Sequence, residues 1–421
     1  MFINDLRWLC MRKVSLLFLL LVMYMSQGAS GTSLDEALNK TLDNNMALKA
    51  SLYKSLASKH DVVSSAMAGV LPRVLYEFKV HNSGALQESS SSAVTLSQTL
   101  FNGATMFRID KARYQYAAQE LAFALERQKT LLKAINVYME AMSAYEVNRL
   151  NESNLKVMTE QLEAANKRFA VGEITRTDLA KAEAKLAEAK TDAISARGRL
   201  KTVEANYTRI IGEPPVDLRY PSNKKLQIPS TLQEALDIAQ RSNLSLLLSR
   251  NVYQASKRDA AMAVATKFLP SLTIAASART SPGGSFDRIS HRFDLTLSLP
   301  IFERGVLGLM DIDKANKTRQ HYMYSLHEAA REVEESVINA WEALQTSESF
   351  LKSAREAVRY NEIVCDAITQ EASLNMKTTL DVLKIEQDLL KAKVKLVNAK
   401  SKVIVHKYNL LALIGLFSVD S

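Results

Sequence analysis

The chain has 421 residues, 47% of them hydrophobic, with 54 Lys+Arg against 45 Asp+Glu for a net charge of +9. That apolar fraction excludes a disordered chain, and 13 Gly, 8 Pro and 7% aromatics are too few for a turn-rich sandwich or propeller. Two cysteines, Cys10 and Cys365, exclude a disulfide-dense scaffold and a cysteine metal cluster.

At the start, Arg12 and Lys13 precede an apolar run from Val14 to Met25, followed by small residues from Ser26 to Gly31. A basic n-region, a short h-region and a small-residue cleavage site predict a secretory signal over 1–31. Met11 reads as the natural start; the competing reading is an uncleaved anchor. The run is short for a membrane span, and no later stretch reaches 18 consecutive apolar residues.

The rest of the chain is duplicated. Ser33-Leu-Asp-Glu-Ala-Leu38 matches Thr231-Leu-Gln-Glu-Ala-Leu236, Asn45 matches Asn243, and Leu71-Pro72 matches Leu269-Pro270. Farther on, Ile109-Asp-Lys-Ala112 pairs with Ile312-Asp-Lys-Ala315, Asp178 with Asp381, Glu183 with Glu386, and Ile211-Gly212 with Ile414-Gly415, all 203 residues apart. The expected organisation is a first repeat over 32–213, a proline-rich linker over 214–230, a second repeat over 231–417 and a short tail over 418–421.

Within each repeat, a first helix is predicted from Ser33 to Leu71, ended by Pro72. Two strands follow. Val74, Tyr76, Phe78 and Val80 alternate with Arg73, Glu77, Lys79 and His81, and Val94, Leu96 and Leu100 alternate with Thr95, Ser97 and Thr99. In the second repeat the same alternation places Leu272 and Ile274 on one strand and Phe293, Leu295, Leu297 and Leu299 on the next. No Gly or Pro interrupts the 68 residues between Gly103 and Gly172, which as one helix reach about 100 Å. Leu121, Leu125, Leu132, Ile135, Met139 and Met142 form a heptad seam, and the stretch after Gly172 is Ala-rich. A hairpin of two very long helices per repeat is the expectation. The fold class is therefore mainly α with a small β part.

The strand pattern alone fits both a transmembrane barrel with a wet lumen and a soluble sheet lying on a helix. A membrane sheet carries a further requirement: four strands cannot close a useful barrel, and an open edge cannot lie in lipid. Three chains pooling four strands each make twelve.

The duplication, the Leu-Pro pairs, Ser97-Gln-Thr-Leu-Phe-Asn-Gly103 and Arg168-Phe-Ala-Val-Gly-Glu-Ile-Thr-Arg-Thr-Asp178 together resemble the TolC family of outer-membrane efflux channels, over nearly the whole mature chain. The resemblance implies a homotrimer, with a 12-stranded β-barrel in the outer membrane continued by an α-helical periplasmic tunnel. It implies a passive export duct of a tripartite pump or type I secretion system, partnered by a periplasmic adaptor and an inner-membrane transporter. The alternative is an exported coiled-coil structural or adhesive protein without a channel.

Both predicted hairpin tips carry Thr-x-x-Asp, at Thr175 and Asp178 and at Thr378 and Asp381. Capping of the returning helix accounts for both by itself. The resemblance adds a periplasmic gate at Asp381, with Lys384 where a second acid is usual and Lys377 where an arginine is usual; Asp178 is its counterpart. It makes Val171, Gly172, Leu374 and Asn375 the adaptor-docking tips. His321 and His327 stand six apart, which is not metal-ligand spacing on a helix, and no Ser-His-Asp, Walker A or dinucleotide fingerprint occurs. The chain reads as a non-enzyme without cofactor or metal, and export without an aromatic-laced basic cluster argues against nucleic acid.

Overall fold

The computed structural model describes residues 33–68, 71–82, 88–221, 227–281, 288–300, 305–374 and 376–417. The predicted signal over 1–31, Asn375 and the tail over 418–421 lie outside the described residues, as do parts of the linker and of both strand-connecting loops.

The order of elements repeats. In the first half come α1 (Leu34–Asn44), α2 (Met46–Met67), β1 (Arg73–Asn82), β2 (Glu88–Asn102), α3 (Thr105–Ala170) and α4 (Arg176–Ile211). In the second come α5 (Leu232–Ser242), α6 (Leu244–Phe268), β3 (Ser271–Ser281), β4 (Arg288–Ser298), α7 (Gly305–Ser373) and α8 (Thr379–Leu413).

The single first helix expected from Ser33 to Leu71 is two helices, broken at Asn45 and ending at Met67. Asn45 leaves the helical region (φ −77°, ψ 110°), and its side chain accepts from the Leu48 amide at 2.9 Å, so it ends one helix and caps the next. Asn243 does the same between α5 and α6, accepting from the Leu246 amide at 3.0 Å and donating to the Leu413 carbonyl at 2.7 Å. The hairpins are also unequal. α3 and α7 have 66 and 69 residues, but the returning α4 and α8 have only 36 and 35. Past the short arms, α2 and α6 flank α3, and α6 flanks α7.

Glycines stop the short arms. Gly212 sits at φ +97°, where a side chain is strained, and a Cβ there would lie 2.5 Å from Asn44 Nδ2. Gly415, at φ +76°, abuts the Ser242 carbonyl in the same way.

The core is widest where α1 and α5 cross the long helices. Leu34, Leu38, Ile135, Tyr138, Met139, Tyr207 and Ile211 are buried together in the first half. Tyr138 hydroxyl donates to the Arg219 carbonyl at 2.7 Å, which fixes the linker to this core. The heptad seam is thus narrower than the buried surface. Ile135, Met139 and Met142 are buried, but so are Leu131, Ala134, Val137 and Tyr138 around them, because α1, α4 and α8 all cover α3 here. Ile404 of α8 joins this core, whereas Val403 next to it joins the second one, with Val337, Leu344 and Leu410.

The four strands form one antiparallel sheet in the order β1-β2-β3-β4. β2 and β3 are neighbours although four helices, α3 to α6, lie between them in the chain. Gly103, which ends the Phe-Asn-Gly motif, donates its amide to the Pro270 carbonyl at 3.3 Å, and a Cβ on it would strike Leu269. The two sequence motifs at the mouth of the sheet therefore lock into each other.

Candidate functional site

Two regions carry the features singled out in the sequence: the sheet, and the tips of the hairpins.

On the sheet, register decides which residues share a face. Val74, Leu96, Ala276 and Phe293 are directly paired across all four strands, and so are Tyr76, Val94, Ala278 and His291. Between Thr99 and Phe101 the ladder shifts, leaving Leu100 as an extra residue and setting Phe101 opposite Leu272, which faces Leu297. Phe101, and not Leu100 as the simple alternation suggested, continues the apolar row. This face has no cover: Val74, Tyr76 and Phe78 are each more than 60% exposed, and Phe293 is 82% exposed. The opposite face pairs Arg73 with Ser97, Ala275 and Asp294, then Thr95 with Ser277 and Arg292, then Glu77 with Ala93 and Arg279. Lys79 lies 2.9 Å from Glu77. β1 and β4 each have one neighbour among the described strands.

At the tips, both Thr-x-x-Asp segments are full capping boxes. Thr175 accepts from the Asp178 amide at 3.2 Å, while the Asp178 carboxylate accepts from the Thr175 amide and hydroxyl at 3.3 and 2.7 Å. Thr378 and Asp381 repeat this at 3.3, 3.0 and 2.8 Å. The Thr378 hydroxyl, then its amide, then the Lys377 and Lys384 charges hold the Asp381 carboxyl below its ordinary range. Asp178 is lowered by Thr175 in the same way, with Lys181 at 3.8 Å. Lys181 is the counterpart of Lys384, so both boxes are followed by a lysine one turn on. The structure thus gathers Asp381, Lys377 and Lys384 at one tip and keeps Asp178 in its own box at the other.

The turns place Val171, Gly172 and Leu374 at the extremity. Gly172 takes φ +77° with nothing near its Cβ position. Val171 and Leu374 are 77% and 70% exposed, and Met376 beside them 71%.

The sequence did not reveal the contacts that join the two tips. Leu383 of α8 is buried with Met158, Leu179, Ala182, Leu186 and Ala189 between α3 and α4. Lys185 donates to Gln387 at 2.7 Å, Gln387 to Glu188 at 2.8 Å, and Arg168 to Thr379 at 3.2 Å. Burying a leucine contributes about 1.5–3 kcal/mol, whereas a typical hydrogen bond contributes a net of about 0.5–1.5 kcal/mol. The leucine holds this seam and the polar groups set its register. Three residues past Leu383, Glu386 has a buried side-chain oxygen without a hydrogen-bond partner, and burial raises its carboxyl above the ordinary range. No helix among the described residues is long and apolar enough to cross a membrane.

Comparison with known proteins accords with this geometry. Residues 37–213 and 235–416 match the outer membrane efflux protein family. The outer membrane efflux protein BepC of Brucella suis is 26% identical over 404 residues, covering 94% of this chain and 88% of that protein. The alkaline protease secretion protein AprF of Pseudomonas aeruginosa is 23% identical, covering 89% of this chain and 83% of its own length. Among solved structures, CusC superposes with a TM-score of 0.79 at 16% identity, over 92% of each chain.

Proposed function

The chain belongs to the outer membrane efflux protein family, and from that premise we propose that it works as a passive trimeric duct through the outer membrane and periplasm, serving a tripartite pump or type I secretion system. The observation that carries the proposal is the uncovered apolar face, in register across four strands that end in two single-neighbour edges. Family membership replaces the structural or adhesive scaffold as the reading of that face. In the duct, β4 of one copy pairs with β1 of the next, twelve strands close, the apolar rows meet lipid and the polar face with Arg73, Glu77, Arg279, Arg292 and Asp294 lines the lumen. The long helices continue the lumen through the periplasm.

The tips are the periplasmic end. Asp381, Lys377 and Lys384 line and latch the closed entrance at one tip, with Asp178 as their counterpart at the other. Acid and lysine alternate there, so the ring is electrostatically mixed and exerts a weaker pull on cations than carboxylates alone. Val171, Gly172, Leu374 and Asn375 receive a periplasmic adaptor, and the uncovered Val171 and Leu374 side chains support this as an apolar landing point. An inner-membrane transporter supplies the energy.

The test is reconstitution in planar bilayers. Stepwise conductance from a particle of three chains is expected, and replacing Asp381 and Lys384 together by serine is expected to raise the open fraction. A stable single chain in detergent or silent bilayers would sink the duct, and unchanged gating of the double variant would sink the tip assignment alone.

A further inference from the structure

The polar face of the sheet carries an imbalance of charge that the strand register resolves level by level. Among the described side chains it holds four bases, Arg73, Lys79, Arg279 and Arg292, against two acids, Glu77 and Asp294. Each acid shares its level with a base. Arg73, Ser97, Ala275 and Asp294 are paired across the strands at one level, and Glu77, Ala93, Arg279 and Ser290 at another. The alternate levels hold no acid among the described side chains. Leu75, Thr95, Ser277 and Arg292 lie between those two, and Lys79, opposite Ser91, lies beyond the second. All four bases are exposed. Lys79 reaches Glu77 at 2.9 Å, so Lys79 and Arg279 share a single carboxylate and one positive charge is left over there. Arg292 leaves the other, since Arg73 and Asp294 offset each other on their own level.

We propose that the barrel is an anion filter, in which Arg292 and Lys79 from three copies form two basic rings and the duct favours solutes of net negative charge. This rests on the duct reading and names the class of cargo that the lumen admits best. Rings of Lys and Arg select anions in pores, and the low-dielectric wall that lipid provides concentrates their field in the lumen. The dimensions allow that field to act. Twelve strands about 4.8 Å apart and tilted by about 40° enclose a backbone cylinder about 24 Å across. Side chains narrow it further, so the axis lies within about one screening length of the charged groups at physiological salt, where that length is about 8 Å. The tip has the same sign: exposed Lys377 and Lys384 stand with the single Asp381. A solute therefore meets an excess of basic groups at both ends of the duct.

Reversal potentials in planar bilayers under a KCl gradient test the filter, because potassium and chloride move almost equally fast in water and any preference comes from the channel. The full chain is measured as it is and with Lys377→Ser, which leaves the tip one acid and one base and so isolates the barrel. In both, chloride is expected to be preferred about twofold or more near 0.1 M salt. The preference is expected to fade at 1 M, where screening shortens from about 10 to about 3 Å. In the Lys377→Ser background, Lys79→Ser with Arg292→Ser leaves two bases against two acids and is expected to abolish the preference. Lys79→Glu with Arg292→Glu is expected to turn it to potassium, and Arg292→Lys to keep it. Lumen positions tolerate such changes without loss of insertion. Conducting channels of the unaltered chain that prefer potassium, or neither ion, overturn the filter and leave the duct standing, whatever the variants do. A chloride preference that vanishes with Lys377→Ser alone, or that survives both barrel pairs, places selection elsewhere and also overturns the filter. Bilayers that stay silent overturn the duct itself.

Discussion

At the residue scale, two acids on the same helix respond to pH in opposite directions. Asp381 is half-exposed and its carboxyl is lowered by the capping box, so the cap is intact above the ordinary aspartate pKa of 3.8 and is lost only as pH falls through the lowered value. Glu386 is raised by burial. Its protonated form suits the fold, so its contribution is full below the ordinary glutamate pKa of 4.5 and is lost as pH rises through the raised value. Glu386→Gln is therefore expected to stabilise the second hairpin at neutral pH and to flatten its stability above pH 4.5, while leaving acid stability nearly unchanged. Hydrogen exchange of α7 and α8 amides as a function of pH measures this, and an unchanged profile would mean that Glu386 finds a partner in the assembled protein. The capping boxes were legible in the sequence, because a box needs only residues three apart. The partial burial of Glu386 was not. Its counterpart Glu183 is exposed, and nothing local distinguishes the two.

At the element scale, the strands were legible from alternation, but the bulge at Leu100 was not, since a two-residue period cannot reveal an extra residue until the partner strand is known. The breaks at Asn45 and Asn243 were visible only as a coincidence between repeats, because helical periodicity continues across both. A cap differs from a mid-helix asparagine only in backbone geometry. The two faces of β4 make a direct comparison possible. Leu295 is 68% exposed on the apolar face, and Thr296, next to it, faces the other way opposite Thr273. Leu295→Lys is expected to cost about 2–4 kcal/mol if it lies near the bilayer midplane, read as loss of folded protein from outer-membrane fractions. Thr296→Lys is expected to insert normally and to alter single-channel conductance. Equal insertion of both would reverse the assignment of faces.

At the scale of the molecule, the repeats do not form independent halves. Ile404 of the second hairpin sits in the first core, Phe417 packs against both cores, and Leu383 is buried between α3 and α4. Which surfaces of the repeats meet could not be read from the sequence, because repeat offsets align positions without saying which faces touch. A chain ended at Gly212 is expected to give soluble or aggregated material with no heat-resistant oligomer, seen by unheated gel electrophoresis of membrane fractions; a stable assembly from the first repeat alone would contradict the shared cores. The pairing of Asn102 with Ser271 has a consequence for the life of the polypeptide. The middle of its sheet waits for a partner made long after the first hairpin has emerged, and distant pairings of this kind are slow to form. During that wait two greasy ribbons must be shielded from water, so chaperone dependence is inherent in the chain order. The delay also protects the cell: no perforation can open in its envelope before the strands of the second repeat have been delivered.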